Sequence, residues 1–422
     1  MKHDALLKHA AALLAAILNG HGAADKAMER YFRDHREMGV RDRGAVAETV
    51  YACLRRLALL RHAAGDNAPA SALVAVHFLT QGWSARALEQ AHYPERPGFE
   101  ARALTERVRA LATRELPLEV RTNLPGWLVE KLVAQLGEEE TLRLAEALNQ
   151  PAPLDLRVNT LKADRAAVQA RLAEEGHTLE PTPYSPFGLR RADRAPLFKS
   201  PCFQEGLFEV QDEGSQLLGL LLEPKRREMV VDYCAGAGGK TLELGAMMAN
   251  TGTLYAFDIV AKRLEKLKPR LARAGLDNVR TVVISPERDD RVRRLAGKAD
   301  RVLVDAPCSG SGTVRRNPDI KWRPLDLEAI TATQRRILET AASLVRPGGR
   351  LVYATCSLLR EENEDVVQDF LAAHPEFTLL PAHEILARRN VALPDAGEVL
   401  RLWPHRHNTD GFFAAALERN AQ

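Results

Sequence analysis

Aromatic residues are scarce, at 5% of 422 positions, which argues against wide stacking platforms for long single strands of nucleic acid. Charge excess is small as well. Lys and Arg number 59 against 56 Asp and Glu, a net charge of +3. An anionic partner is permitted but not demanded, and the distribution of charge matters more than its sum. Cysteine is limited to Cys53, Cys202, Cys234, Cys308 and Cys356. An odd count without any Cys-x-x-Cys pair excludes a disulfide framework and a zinc ribbon, and it fits a reducing compartment. His405, His407 and the other histidines lack ligand spacing, so no metal is expected. No apolar run in the sequence approaches the ~20 residues of a membrane span. Residues 10–18 are apolar and follow Lys2 and Lys8, but Leu6, Ala10, Leu13, Leu14, Ile17 and Leu18 keep helical spacing and Asp4 interrupts the basic stretch. That pattern is an amphipathic helix of a folded domain rather than a secretory leader. A cytoplasmic, monomeric protein without membrane attachment is the expectation.

What is present is a change of pattern along the chain. Residues 1–148 read as short helices. Val46, Val50, Leu54 and Leu57, then Leu128, Leu132, Leu136, Leu142, Leu144 and Leu148, recur at helical spacing. Pro151 and Pro153 stop the last helix and mark a boundary. Residues 149–210 read as a small α+β unit, with a strand at 154–158, a helix at 163–175 and short strands after it. From 211 to 422 strand and helix alternate. Strand candidates are Met229–Cys234, Thr253–Asp258, Val279–Ile284, Arg301–Asp305 and Arg350–Cys356, and Arg346-Pro347-Gly348-Gly349 reads as a turn into the last of them. Regular alternation predicts an α/β domain with a parallel sheet covered by helices on both faces. Ligands of such sheets bind beyond the carboxyl ends of the strands.

Three features gather at those ends. Asp232-Tyr233-Cys234-Ala235-Gly236-Ala237-Gly238-Gly239-Lys240-Thr241 is a glycine-rich strand-to-helix turn whose backbone can approach a ligand closely. Asp258 closes the next strand, where a carboxylate is placed to grip ribose hydroxyls. Together they favour an adenosine-containing cofactor. The order Gly-x-Gly-Gly departs from the dinucleotide fingerprint, and Cys234 stands where a P-loop needs its first glycine. The third feature is a pair of thiols. Cys308 lies in Asp305-Ala306-Pro307-Cys308-Ser309-Gly310 and Cys356 in Tyr353-Ala354-Thr355-Cys356-Ser357. A single strand-end cysteine is usually an inert small hydrophobe. Two in equivalent positions beside a cofactor loop point to covalent chemistry on a bound base, because a thiolate is a strong nucleophile.

These stretches, with Arg315-Arg316-Asn317-Pro318-Asp319-Ile320-Lys321-Trp322, resemble the RNA 5-methylcytosine methyltransferases of the NOL1/NOP2/Sun family, nearest the members acting on small-subunit (16S) ribosomal RNA. The segment Phe208-Glu209-Val210-Gln211-Asp212-Glu213-Gly214-Ser215-Gln216 resembles the family's entry into its catalytic domain. The match runs from 155 to about 417. More loosely, Arg41-Asp42-Arg43 through Leu57 looks like a NusB-like RNA-binding domain. The resemblance implies a Rossmann-like class I methyltransferase domain with a mostly parallel seven-stranded sheet, preceded by a ferredoxin- or RRM-like unit and the NusB-like helices. It implies S-adenosyl-L-methionine as cofactor, held by Cys234, Ala235, Gly236, Ala237, Gly238, Gly239, Lys240, Asp258 and Asp305, with Glu287 as the candidate for the adenine. It also implies roles: Cys356 adds to C6 of cytosine, Cys308 assists release, and Asp305 holds the base near N3.

The family's turn usually reads Cys-Ala-Ala-Pro-Gly-Gly-Lys, so Gly236 and Ala237 here imply a looser turn. Arg315, Arg316, Lys321 and Arg323 follow Cys308 and are the candidates for phosphates around the target nucleotide. A DNA cytosine methyltransferase is a poorer match, since Ser309 rather than Gln follows Cys308 and no Glu-Asn-Val occurs. Action on transfer RNA or another RNA is one alternative. A non-catalytic RNA-binding assembly factor is another, against which the intact Asp305, Cys308 and Cys356 count.

Overall fold

A computed structural model of the chain describes residues 2–20, 22–91, 101–192, 196–285 and 289–421. The chain forms two compact units, Met1–Pro151 with Thr313–Leu325, and Ala152–Gly312 with Asp326–Gln422. The first unit gives way to the second between Pro151 and Ala152. The expected boundary near 210 does not separate units, and the 313–325 stretch leaves the sheet unit for the helical one.

The first unit is helical. His3–Leu18 buries Leu7, Ala10, Leu13, Leu14 and Ile17, the stripe its spacing predicts. The apolar pattern at 127–148 is two helices, Gly126–Leu136 and Glu138–Leu148. The inserted stretch is tied down by polar contacts. Trp322 Nε1 donates to Leu54 O at 2.7 Å, and Asp319 Oδ2 accepts from Ala24 N at 3.0 Å. Lys321 corrects an expectation. It is buried, and its Nζ donates to Arg55 O at 2.9 Å and to Asn149 Oδ1 at 3.1 Å. Burial pulls its pKa down to about 7, because desolvation disfavours the charged amine. Lys321 therefore braces the helical unit instead of offering charge to a phosphate. Arg315 is buried too, and Arg323 is paired with Asp319. Arg316 is half-buried.

The second unit holds two sheets. The smaller contains β1 (Leu154–Val158), β2 (Glu180–Pro181), β3 (Gly188–Arg191) and β4 (Phe208–Val210), antiparallel in the order β2-β3-β1-β4. The helix Arg165–Glu174 packs Val168 and Leu172 into the same core as Leu156, Leu189 and Phe208. Polar groups join this sheet to the rest of its unit. Asn159 Nδ2 donates to Ala274 O at 2.9 Å, and Glu209 accepts from Arg270 Nη2 at 3.0 Å and from Arg273.

The larger sheet contains β5 (Met229–Asp232), β6 (Thr253–Asp258), β7 (Val279–Val283), β8 (Ala299–Asp305), β9 (Val345–Thr355), β10 (Phe377–Leu380), β11 (Leu400–Leu402) and β12 (Phe412–Arg419). Their order is β10-β12-β9-β8-β5-β6-β7, and β11 adds an eighth strand by pairing with β12. Pairing is parallel from β9 to β7 and antiparallel around β12. This is the mostly parallel Rossmann-like sheet expected. Alternate residues face opposite cores: Val231, Val302, Val304 and Tyr353 lie on one side, and Val230, Leu303, Val352 and Ala354 on the other. Burial on both faces explains the continuous apolar strands. The predicted turn at Arg346–Gly349 lies inside β9. Register shifts there, from Ala299 opposite Val345 to Arg301 opposite Arg350, so the extra residues leave the ladder as a bulge. No helix among the described residues is long and apolar enough to cross a membrane.

Glu209→Ala removes the carboxylate that neutralises two partly buried guanidinium groups. It should lower unfolding free energy by about 1–3 kcal/mol, read as a lower urea midpoint at unchanged slope.

Candidate active site

The parallel strands β5, β6 and β8 end in Asp232, Asp258 and Asp305, so three carboxylates crowd one edge of the sheet. The glycine turn is held there by Asp258, which is 3% exposed. Its Oδ2 accepts from Gly236 N at 2.9 Å and its Oδ1 from Val260 N at 2.7 Å. Two glycines of the turn do different work. Gly236 has φ 57°, and a Cβ there would meet nothing within 4 Å, so its backbone faces open space. Gly238 has φ 87°, and a Cβ there would sit 2.1 Å from Leu267 Cδ1. One lets a ligand approach the backbone, and the other lets the turn pack on the helix Ala261–Ala274.

Above the turn lies a cavity of about 650 Å³, within the usual range for a cofactor site. Cys234, Ala235, Gly236, Ala237, Gly239 and Lys240 line it, as do Asp258 and Asp305. Gly238 supports the turn from behind. Ile259 and Ile284 supply apolar walls beside Asp258. An open backbone, a strand-end carboxylate and flanking isoleucines fit an adenosine with a charged tail. Ser285 lines the cavity next to Ile284, whereas Glu287, the adenine candidate, lies outside the described residues. Arg263, Thr333 and Arg336 also line it, and no motif in the sequence marks them.

Electrostatics divide the titratable groups into charged and neutral sets. Lys240 Nζ lies 2.7 Å from Asp305 Oδ2. Burial alone pulls the Lys240 pKa down, but Asp305 more than offsets this and the net shift is upward. The pair is therefore ionic and orients the Asp305 carboxylate. Asp232 is wholly buried and accepts from Thr241 Oγ1 at 2.6 Å. Burial pushes its carboxyl up to about 7. Burial likewise holds the Cys234 thiol well above its usual range, so that sulfur is a wall and not a nucleophile.

Cys308 and Cys356 meet at the ends of β8 and β9, with Sγ atoms 3.3 Å apart. Asp305 and Pro307 line the cavity, and the sulfurs lie next to these residues along the chain and the sheet. The Cys308 thiol is held well above its usual range, first by contact with Cys356, then by burial and by the charge of Glu362. Lys240 in turn interacts electrostatically with Cys356. An anion, Glu362, thus acts on Cys308. Glu362 and the serines Ser309, Ser311 and Ser357 form a hydroxyl–carboxylate cluster beneath the two thiols. Sequence reading passed over that cluster.

Residues 219–418 match the sequence model of the 16S rRNA methyltransferase RsmB/F family, and residues 124–196 match that of the RsmF/B-like ferredoxin-like domain. The chain is 35% identical over 312 residues to the probable ribosomal RNA small subunit methyltransferase B of Synechocystis sp., covering 73% of this chain and 70% of that one. It is 35% identical over 337 residues to the protein of the same description from Bacillus subtilis, covering 76% and 70%. The crystal structure of NSun6 from Pyrococcus horikoshii with SFG, an S-adenosylmethionine analogue, superposes with a TM-score of 0.61 at 25% identity, covering 71% of this chain and 99% of that one.

Two measurements check this geometry. Gly238→Ala should cost about 2–4 kcal/mol of stability, from a strained φ and a clash, whereas Gly236→Ala should cost only about 1–2 kcal/mol, from φ alone. Thermal melting distinguishes them. For Asp232, the folded state keeps its proton up to about pH 7 while the unfolded chain releases it in the ordinary carboxylate range. The unfolded state binds fewer protons in that window, so stability falls as pH rises through it. Asp232→Asn should show a smaller drop in urea midpoint between about pH 5 and about pH 8 than the unaltered protein.

Proposed function

The chain belongs to the RsmB/F family of S-adenosylmethionine-dependent RNA methyltransferases, and on that footing we propose that it methylates C5 of a cytosine in small-subunit ribosomal RNA through a transient bond to Cys356. The observation that carries the reading is the 3.3 Å approach of two strand-end thiols beside the cofactor cavity.

Cytosine C5 is a poor nucleophile. Addition of a thiolate at C6 makes it enamine-like and divides one difficult step into two easier ones. Bound in the cavity, S-adenosylmethionine supplies an electrophilic methyl group. Residues 234–240 would hold its methionine end and Asp258 its ribose, a reading supported by the lining of the cavity. Cys356 Sγ, as thiolate, bonds to C6, and the displaced ring electrons make C5 nucleophilic. The Asp305 carboxylate, oriented by Lys240, would hold the N3 edge of the ring by accepting from the N4 amino group. Once C5 carries the methyl group, Cys308 Sγ takes the C5 proton. The released C–H pair restores the C5–C6 double bond, and Cys356 departs as thiolate.

The pairing of the thiols gives this sequence an order. Resting Cys308 keeps its proton chiefly because Cys356 faces it. When the Cys356 sulfur is bonded to carbon, its charge is gone and so is the largest cause of that retention. Cys308 then gives up its proton to solvent more readily, against burial and the Glu362 charge that still oppose it, and serves as a base at the stage that needs one. The target base must leave its stack to reach this edge of the sheet. The helical unit, with its NusB-like pattern, serves as an RNA-binding module, and Arg316 and Arg323 remain candidates for phosphate contact. The protein acts as a cytoplasmic monomer.

With ribosomal RNA and cofactor, Cys308→Ala should accumulate a covalent protein–RNA species that migrates slowly on a denaturing gel. Cys356→Ala should give neither that species nor methylated product, with turnover down by at least ~10³-fold. Substantial turnover by Cys356→Ala would overturn the assignment, and methyl transfer to transfer RNA in preference to 16S RNA would move the target.

A further inference from the structure

We propose that Glu362 is a positioning residue that clamps the loop after Cys308 to the loop after Cys356 and so fixes the two sulfurs for successive use on one pyrimidine. The proposal deepens the covalent reading above and rests on it for its catalytic consequence.

Glu362 is fully buried, and its carboxylate is saturated by donors from both loops. Oε1 accepts from Ser309 N at 2.7 Å and from Gln334 Nε2 at 3.0 Å. Oε2 accepts from Ser309 Oγ at 2.5 Å and from Ser357 Oγ. A carboxylate offers about four acceptor sites, and here each is taken. Ser309 directly follows Cys308, and Ser357 directly follows Cys356. Gln334 extends the clamp, since its Nε2 also donates to Pro307 O at 3.0 Å, just before Cys308.

The glutamate is itself anchored. Tyr353 Oη donates to Glu362 O at 2.7 Å. The next residue, Asn363, accepts from Thr355 Oγ1 at 2.5 Å and donates to Ser357 O at 2.9 Å. The loops also meet without Glu362: Gly312 N donates to Cys356 O at 2.9 Å, Leu358 N donates to Ser311 Oγ at 2.8 Å, and Ser357 Oγ lies 3.2 Å from Ser309 Oγ. Loops that leave neighbouring parallel strands diverge unless something holds them, and a buried carboxylate with four donors holds firmly because leaving any donor unpaired in low dielectric is costly. Glu362 does not line the cofactor cavity. It acts through Cys308 and Cys356 and not on substrate.

Two readouts test the proposal. In the first, the protein without RNA is treated with diamide, which takes two electrons and two protons from the thiol pair as Cys308 and Cys356 join. Mass spectrometry then follows the linked peptides. The unaltered protein and Glu362→Gln, whose amide can satisfy the same hydroxyls, should link at similar rates, and Glu362→Ala at least ~10-fold more slowly. In the second, steady-state kinetics on ribosomal RNA should show kcat for Glu362→Ala down by ~10²-fold, the scale expected when reacting groups are misplaced by about 1 Å. KM for RNA should stay within about threefold, and Glu362→Gln should recover most of the loss. Ser357→Ala, which removes one tie, carries the same test if Glu362→Ala does not fold. Linking and kcat at unaltered rates in the alanine variants would overturn the clamp, as would a Glu362→Gln protein as slow as Glu362→Ala. Because the linking assay needs neither RNA nor turnover, it judges the clamp even if Cys356 proves not to be the nucleophile.

Discussion

Parallel pairing of β8 with β9 sets Asp305 level with Ala354. Both strands therefore leave the sheet at the same edge within three residues, one through Pro307 and Cys308, the other through Thr355 and Cys356. A one-residue slip in that pairing would turn the strand-end side chains to the opposite faces. Register is specified by burial, because Val302, Val304, Leu351 and Tyr353 face one core while Leu303 and Val352 face the other. The sulfur contact is thus a consequence of how two apolar strands pack. The bulge at Arg346–Gly349 absorbs the length mismatch far from the site, at the amino end of β9.

Around that edge the three acids have unlike surroundings. Asp258 spends its oxygens on the backbone N–H groups of Gly236 and Val260, and Asp305 is matched by Lys240. Asp232, with a hydroxyl donor and deep burial, holds a proton near neutrality. If all three acids were ionised, the edge would repel a thiolate. With Asp305 paired to Lys240, the charge that acts on Cys308 is that of Glu362.

Much of this was legible in the sequence because it depends on local rules. Strand ends and helix starts around Asp232, Asp258 and Asp305 follow from short apolar runs that alternate with helical stretches. Failures came where tertiary context decides. The run Arg315–Arg323 looks like a basic surface, yet Lys321 folds inward because Arg55 O and Asn149 Oδ1 are there to receive it. Those partners lie far away in the chain. Glu361, Glu362 and Glu364 form an acidic cluster at a helix start, an ordinary arrangement, and nothing local says that the middle one is buried beneath two serines. The shift at 313–325 was illegible for the same reason: its tryptophan and aspartate seek partners at Leu54 and Ala24.

The burial of Glu362 separates two properties that dissolved ions would otherwise couple. Contacts between basic side chains and a polyanion weaken steeply as electrolyte is added, because condensed counterions are no longer released at a profit. A carboxylate enclosed by protein donors feels little of that screening. Raising ionic strength should therefore loosen the grip on the nucleic acid while leaving the thiol geometry intact, so that whatever remains bound still reacts at its full intrinsic rate.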